Sequence, residues 1–350
     1  MLRLIWNWWV DAVKGFFNLR FRRPVPKYHP LPDTVSRTFV ATTDGEQLEF
    51  LVCRPQHAGQ HPPVLLMHGA FGHASVWLNW MTYLHDNGYG GTTYAISVRG
   101  HGASYSPSSY FRMLLLTTQH DVANDVLAAF QAVKEAEGTE PVLIAHSSGT
   151  ITYQELLSRG TIATPALGLI GGVPHFGITP MFENWAGFDR WMKTRLLLHL
   201  GHPKSNISTV KLLHRAFFGP DQPLEATVEF AKWAADSEAM RWPLSSTGTK
   251  RNGQFEWLDC RDVVASIAPR HSTSDSILIV SGTADRLMRG TSERLAAEYR
   301  TAMAERINNS GSKATTGVRL VEIDRSGHHV QNDVHWQCAA KELLSFLEQV

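Results

Sequence analysis

Cysteine is scarce: Cys53, Cys260 and Cys338 are the only three in 350 residues. They are too few and too scattered for a disulfide framework or a cysteine-based metal site. Buried free thiols in a reducing compartment are the plain reading, which makes a cytoplasmic location the expectation. An excess of one charge is missing too, since 33 Lys and Arg face 32 Asp and Glu for a formal net charge of +1. A field that weak does not select for nucleic acid or for acidic substrates. The 17 histidines contain no H-E-x-x-H or comparable ligand spacing, so no metal is expected. No flavin or nucleotide motif points to a cofactor. What is there is ordinary globular composition, 43% hydrophobic and 19% charged, long enough for one large α/β domain plus an insertion.

The tryptophan-rich stretch 1–23 stands apart. Arg3, Asn7, Asp11, Lys14 and Asn18 recur every three or four residues and share one helical stripe. Leu2, Ile5, Trp6, Trp9, Val13, Phe16 and Phe17 cover much of the remainder. Charges at Arg3, Asp11 and Lys14 interrupt the stretch too often for a membrane span, and no small-residue cleavage site follows an apolar core as in a secretory leader. An amphipathic helix is expected, followed by Arg20, Arg22 and Arg23. Three uses stay open: packing on the protein's own body, homodimerisation, or peripheral membrane contact. Pro24, Pro26, Pro30 and Pro32 make residues 24–34 a stiff, extended linker.

Further along, short apolar runs alternate with helical spacings. Strands are expected at 35–42 and 47–53, joined across Asp44-Gly45. Others are expected at 63–68, 92–98, 142–145, 166–173, 276–281 and 318–323. Helical patterns fill 76–87, 119–137, 151–158, 291–307 and 334–350, and a polar loop is expected over 308–317. From 174 to 262 strand signals give way to bulky residues on short helical stretches, among them Phe176, Trp185, Trp191, Phe217 and Trp242.

The run Pro141-Val-Leu-Ile-Ala-His-Ser-Ser-Gly-Thr150 holds the chemistry. A strand passes through Ala145-His146-Ser147-Ser148-Gly149 into a helix. Small residues two before and two after the serine let the strand and helix backbones nearly touch. Taken alone, the stretch also reads as a helix N-terminus capped by Ser147. It resembles the nucleophile elbow, G-x-S-x-G, of α/β-hydrolase-fold serine hydrolases, with alanine at the first glycine. Four more runs share that resemblance. His68-Gly69-Ala70-Phe71-Gly72 resembles the family's H-G-x-x-G segment. Ser97-Val-Arg-Gly-His-Gly-Ala-Ser104 resembles its D-x-R-G-H-G-x-S loop, with serine for the leading aspartate. Gly282-Thr-Ala-Asp285 and Gly327-His328 stand where the family places its acid and its histidine. His329 is the rival to His328.

The resemblance implies an α/β-hydrolase fold: a mostly parallel eight-stranded sheet flanked by helices, with a helical cap inserted between strands 6 and 7. The domain plan that follows is an N-terminal amphipathic helix (1–23), a linker (24–34), a core (35–174 and 263–350) and a cap (175–262). It also implies a catalytic triad of Ser147, Asp285 and His328, with the amides of Ala70 and Ser148 as the oxyanion hole. The chain order Ser, Asp, His is that of this fold. A serine at the elbow argues against dehalogenases and epoxide hydrolases, which use aspartate there. The implied activity is cleavage of an ester, thioester or lactone of a bulky apolar small molecule. A ligand-binding sensor, or a lyase, cyclase or acyltransferase on the same site, is the alternative.

Overall fold

The computed structural model describes residues 2–247, 249–251, 254–269, 275–310 and 317–350. Residues 311–316 of the expected polar loop lie outside that description.

After an N-terminal helix, α1 (Leu2–Asn18), the chain forms β1 (Val35–Ala41), β2 (Gln47–Cys53) and β3 (Val64–Met67). Then come α2 (Leu78–Asp86), β4 (Thr93–Ile96), α3 (Gln119–Glu137), β5 (Val142–His146), α4 (Gly149–Ser158) and β6 (Leu167–Ile170). An insertion follows, built from α5 (Thr179–Phe188), α6 (Met192–Leu198), α7 (Val210–Phe217), α8 (Leu224–Trp233) and α9 (Arg241–Leu244). It also carries a short hairpin, β7 (Thr249–Arg251) and β8 (Gln254–Glu256). α10 (Cys260–Ala265), β9 (Ile277–Gly282), α11 (Ser292–Ser310), β10 (Val318–Ile323) and α12 (Trp336–Leu347) complete the chain.

Eight strands make one sheet in the order β1-β2-β4-β3-β5-β6-β9-β10. The two pairings that involve β2 are antiparallel and the others parallel. Alternation along the central strands divides their side chains between two cores. Leu65, Met67, Leu143, Leu169 and Ile279 face one core with α3 and α11. Val64, Leu66, Val142, Ile144 and Val280 face the other with α2 and α12. Local signals set the helix ends. Thr118 and Asp121 form a reciprocal capping box at the start of α3, and Gly138, at φ 70°, closes its end.

The insertion departs from the all-helical expectation through β7 and β8. The dipeptide Asn252-Gly253 between two short runs is a hairpin signal; the aromatic bulk around it masked that signal in the sequence. α10 packs on α4 and α11, so the chain is already back on the core there. Much of the insertion's aromatic content forms packing rather than a binding surface. Trp242 is fully buried, and its indole N–H donates to Thr152 Oγ1 at 3.3 Å.

Parallel strands β5, β6 and β9 end in register, with His146 opposite Ile170 and Ile170 opposite Val280. Ile323 at the end of β10 lies opposite Gly282 at the end of β9. The turns that follow β5, β9 and β10 therefore meet at one sheet edge. This is where loops of an open α/β sheet gather a site.

Candidate active site

Ser147 occupies the turn between β5 and α4 at φ 50°, a left-handed conformation that is strained for a residue with a Cβ. The surroundings hold it there. Its N–H donates to Ile170 C=O at 3.0 Å, and its own carbonyl accepts from Thr150 N–H at 3.1 Å and Thr150 Oγ1 at 2.6 Å. Glycine at 149 is required, because an added Cβ would lie 2.4 Å from His68 C=O. On the facing loop, a Cβ on Gly69 would lie 2.7 Å from that of Ser147. The two loops approach as closely as glycine allows.

His328, after β10, places Nε2 2.8 Å from Ser147 Oγ and Nδ1 2.9 Å from Asp285 Oδ2. Asp285, after β9, is fixed by its second oxygen: Oδ1 accepts the N–H groups of Leu287 at 2.8 Å and Met288 at 3.0 Å. An ionised carboxylate only accepts, so the proton of the imidazole belongs on Nδ1, and Nε2 is left to accept from the serine hydroxyl. All three side chains are buried. The loop carrying His328 is itself clamped, with Gly327 N–H and Gly219 N–H both donating to Asp333 Oδ2 at 2.9 and 2.7 Å.

His329 points elsewhere. Its Nδ1 accepts from Asn332 Nδ2 at 3.2 Å, and its ring sits among His146 and Phe230. The structure thus joins Ser147, His328 and Asp285 in one hydrogen-bonded chain and leaves His329 outside it.

The two expected oxyanion donors are adjacent, but one is engaged. Ala70 N–H donates to Ser148 Oγ at 2.7 Å. Ser148 N–H lies at the start of α4, where first-turn amides lack intrahelical acceptors.

Two glutamates matter here that no sequence motif singles out. Glu238, from the insertion, accepts Phe71 N–H at 2.7 Å and lies 3.1 Å from His101 Nε2. Ala235 N–H reaches Phe71 C=O at 2.9 Å. Phe71 stands at φ 62°, so the insertion pins a strained residue next to Ala70 through both of its backbone groups. Glu49, from β2, accepts the Ser97 hydroxyl at 2.6 Å and Ala103 N–H at 3.0 Å. It brings a carboxylate to the loop in which serine replaces the family's aspartate. A charged residue inside a strand that is otherwise buried was the one available clue.

The relay opens into a cavity of about 220 Å³ lined largely by apolar side chains, including Met181, Phe182, Trp185, Leu196, Phe217 and Leu244. Glu238 is the one carboxylate among the described residues that line it. Among the described residues no cluster of histidine, cysteine or carboxylate side chains has the arrangement of a metal site.

Burial holds four histidines around this edge below their ordinary range. His68, His146 and His329 are pushed well down, and His73 to about 3. His101 goes the other way. Burial pulls it down, but the charge and hydrogen bond of Glu238 outweigh that and leave it raised. For the four, the unfolded chain takes up protons near its ordinary pKa of about 6.5 and the folded chain does not. Their stability contribution is present above that pH and is lost as pH falls from about 6.5 towards 3. Denaturation midpoints should therefore drop progressively between about pH 7 and 5. A midpoint flat over that interval contradicts this assignment of neutral, buried imidazoles.

The sequence profile of the Alpha/beta hydrolase family matches residues 64–341. The chain belongs to the alpha/beta hydrolase family. No curated protein matches it. Among solved structures it is similar to the enol-lactonase from Burkholderia xenovorans LB400, with a TM-score of 0.57 and 17% identity over 89% of this chain and 100% of that one. It is similar also to the carboxylesterase CesB (YbfK) from Bacillus subtilis, with a TM-score of 0.56 and 14% identity over 97% of each chain. A third is a membrane phospholipase A described as a bacterial virulence factor, with a TM-score of 0.56 and 16% identity over 90% of this chain and 86% of that one. At these identities the likeness is one of fold.

Proposed function

We propose that this protein is a serine hydrolase that cleaves a carboxylic ester, thioester or lactone of a bulky apolar small molecule. The observation that carries this reading is the relay from Ser147 Oγ through His328 to Asp285, at 2.8 and 2.9 Å, facing an apolar cavity. His328 Nε2 takes the serine proton as Oγ attacks the carbonyl carbon. The oxyanion draws on the amides of Ala70 and Ser148. It is a stronger acceptor than the Ser148 hydroxyl and displaces it from Ala70 N–H. His328 then protonates the leaving group, the acyl chain stays on Ser147, and water attack through the same histidine releases the acid.

The engaged Ala70 amide favours a second reading, a ligand-binding sensor that keeps the site but turns over little. Labelling by a fluorophosphonate, together with repeated turnover of simple aryl esters, supports the hydrolase. Labelling without turnover supports the sensor. An added alcohol acceptor that diverts product from acid to new ester assigns acyl transfer instead.

The apolar lining sets a further expectation. Each methylene that the cavity takes from water adds about 0.8 kcal/mol, or roughly fourfold in kcat/KM. Aryl acetate, butyrate and hexanoate should rise in that order until the cavity is full. A series that falls from acetate onward contradicts an acyl chain bound among Met181, Trp185 and Leu196.

A further inference from the structure

α1 is seated on the insertion by its small side, not by its aromatic side. Ala12, Gly15 and Leu19 are buried. A Cβ on Gly15 would lie 2.4 Å from Ser208 Oγ, so the helix backbone lies directly on that loop. Polar contacts lock the seat. His199 Nε2 donates to Ala12 C=O at 2.8 Å, Asn18 Nδ2 donates to Ser208 C=O at 2.9 Å, and His202 Nε2 bonds Arg20 C=O at 3.2 Å. Trp8 packs its ring inward, 5.1 Å from that of Trp191, and the ring of Phe16 lies 6.1 Å from that of His199. Packing on the protein's own body is thereby complete on one face, and it leaves the bulky face free.

That face is large. Trp6 is 69% exposed and Phe17 73%, with Trp9, Val13 and Phe16 between them. Leu198 borders the groove formed by Trp9, Val13 and Phe16. Its neighbours Leu197 and Leu200 are 79% and 74% exposed, so α6 extends the apolar surface. Isolated exposed apolar residues are ordinary, but a continuous aromatic and leucine surface of this kind marks an interaction site.

Charge decides between occupants. Lys14, Arg20, Arg22 and Lys193 are exposed on the two elements that build the surface and on the chain that follows α1. Asp11, the single acid of α1, is turned to Lys211 at 3.4 Å. A two-fold pairing of copies would set these cations against one another. An anionic bilayer would neutralise them while tryptophan and phenylalanine enter the interface. Among the described residues no helix is long and apolar enough to cross a membrane. The geometry points to peripheral docking of this α1–α6 surface on an anionic lipid bilayer. The same α6 that carries Leu197 outward lines the cavity beside Ser147 with Leu196. Docking thus brings the cavity wall to the lipid surface, and, resting on the hydrolase reading, the substrate class narrows to acyl esters that partition into membranes.

The test is sedimentation of the full chain with vesicles of phosphatidylcholine alone or of equal parts phosphatidylcholine and phosphatidylglycerol. Binding to the anionic vesicles should exceed that to neutral ones by about tenfold and weaken with added salt. The double variant Trp9→Glu with Phe17→Glu should lose binding by at least about tenfold while still hydrolysing a soluble aryl ester and keeping its circular dichroism. Absence of binding to anionic vesicles at low salt, or undiminished binding by the folded double variant, overturns the proposal. So does a wild-type dimer in solution that the double variant converts to monomer. The Ser147→Ala protein in the same assay separates the two questions, because docking must survive in it whatever becomes of hydrolysis.

Discussion

Ser147→Ala is expected to lower kcat on a simple aryl ester by a factor on the order of 10⁶, to the level left by binding and the oxyanion donors alone. The fold should stay intact. Alanine keeps the Cβ that the φ 50° turn already accommodates, so no backbone strain is added. What is lost is one hydroxyl whose partner, His328 Nε2, faces the cavity. That loss costs about 1 kcal/mol of stability. Thermal melting with ester hydrolysis on the same sample checks both parts. A variant that melts normally and still turns over at more than about one hundredth of the wild-type rate would place the nucleophile elsewhere.

Asp285→Asn should cost about 10⁴-fold in kcat, and the hydrogen-bond pattern says why. Oδ1 of Asp285 is held by two backbone donors, Leu287 N–H and Met288 N–H. An asparagine must turn its carbonyl oxygen toward those donors, which aims its NH₂ at His328 Nδ1. The imidazole then has to accept at Nδ1 and carry its proton on Nε2. In that tautomer it presents an N–H to Ser147 and cannot take the serine proton. Substrate binding should change little, because the cavity side chains are untouched. The expected signature is a collapse in kcat with KM nearly preserved. A loss of a few fold only would mean that Asp285 shapes its turn and does not orient His328.

The site's local parts were readable because each is a short-range pattern. Ala145 and Gly149 flank Ser147 for a steric reason that operates within five residues. Gly282 and Gly327 precede Asp285 and His328 in turns that follow apolar strands, and glycine is forced at 327, where a Cβ would lie 2.3 Å from Phe218 C. The strands and the helices between them were legible in the same way, as short apolar runs alternating with helical spacings, whereas the order in which the strands pair has no local signal.

What stayed illegible depends on partners far apart in sequence. Glu238 meets Phe71 across 167 positions, and nothing near Glu238 marks it. Glu49 reaches Ser97 only because β2 and β4 pair. The helical stripe of residues 1–23 suggested two faces, polar and apolar. The structure has three, because small residues at Ala12 and Gly15 form a docking face that an apolar count does not separate from the aromatic one.

Turnover through a serine nucleophile requires that Ser147 Oγ become covalently acylated. Acid-quenching the enzyme with an excess of an aryl ester, followed by intact-mass measurement and peptide mapping, tests it directly. The expected result is a mass increase of one acyl group, located on the peptide containing Ser147 and absent from Ser147→Ala. An acyl group on another residue, or steady hydrolysis of the ester by Ser147→Ala at the wild-type rate, would contradict it.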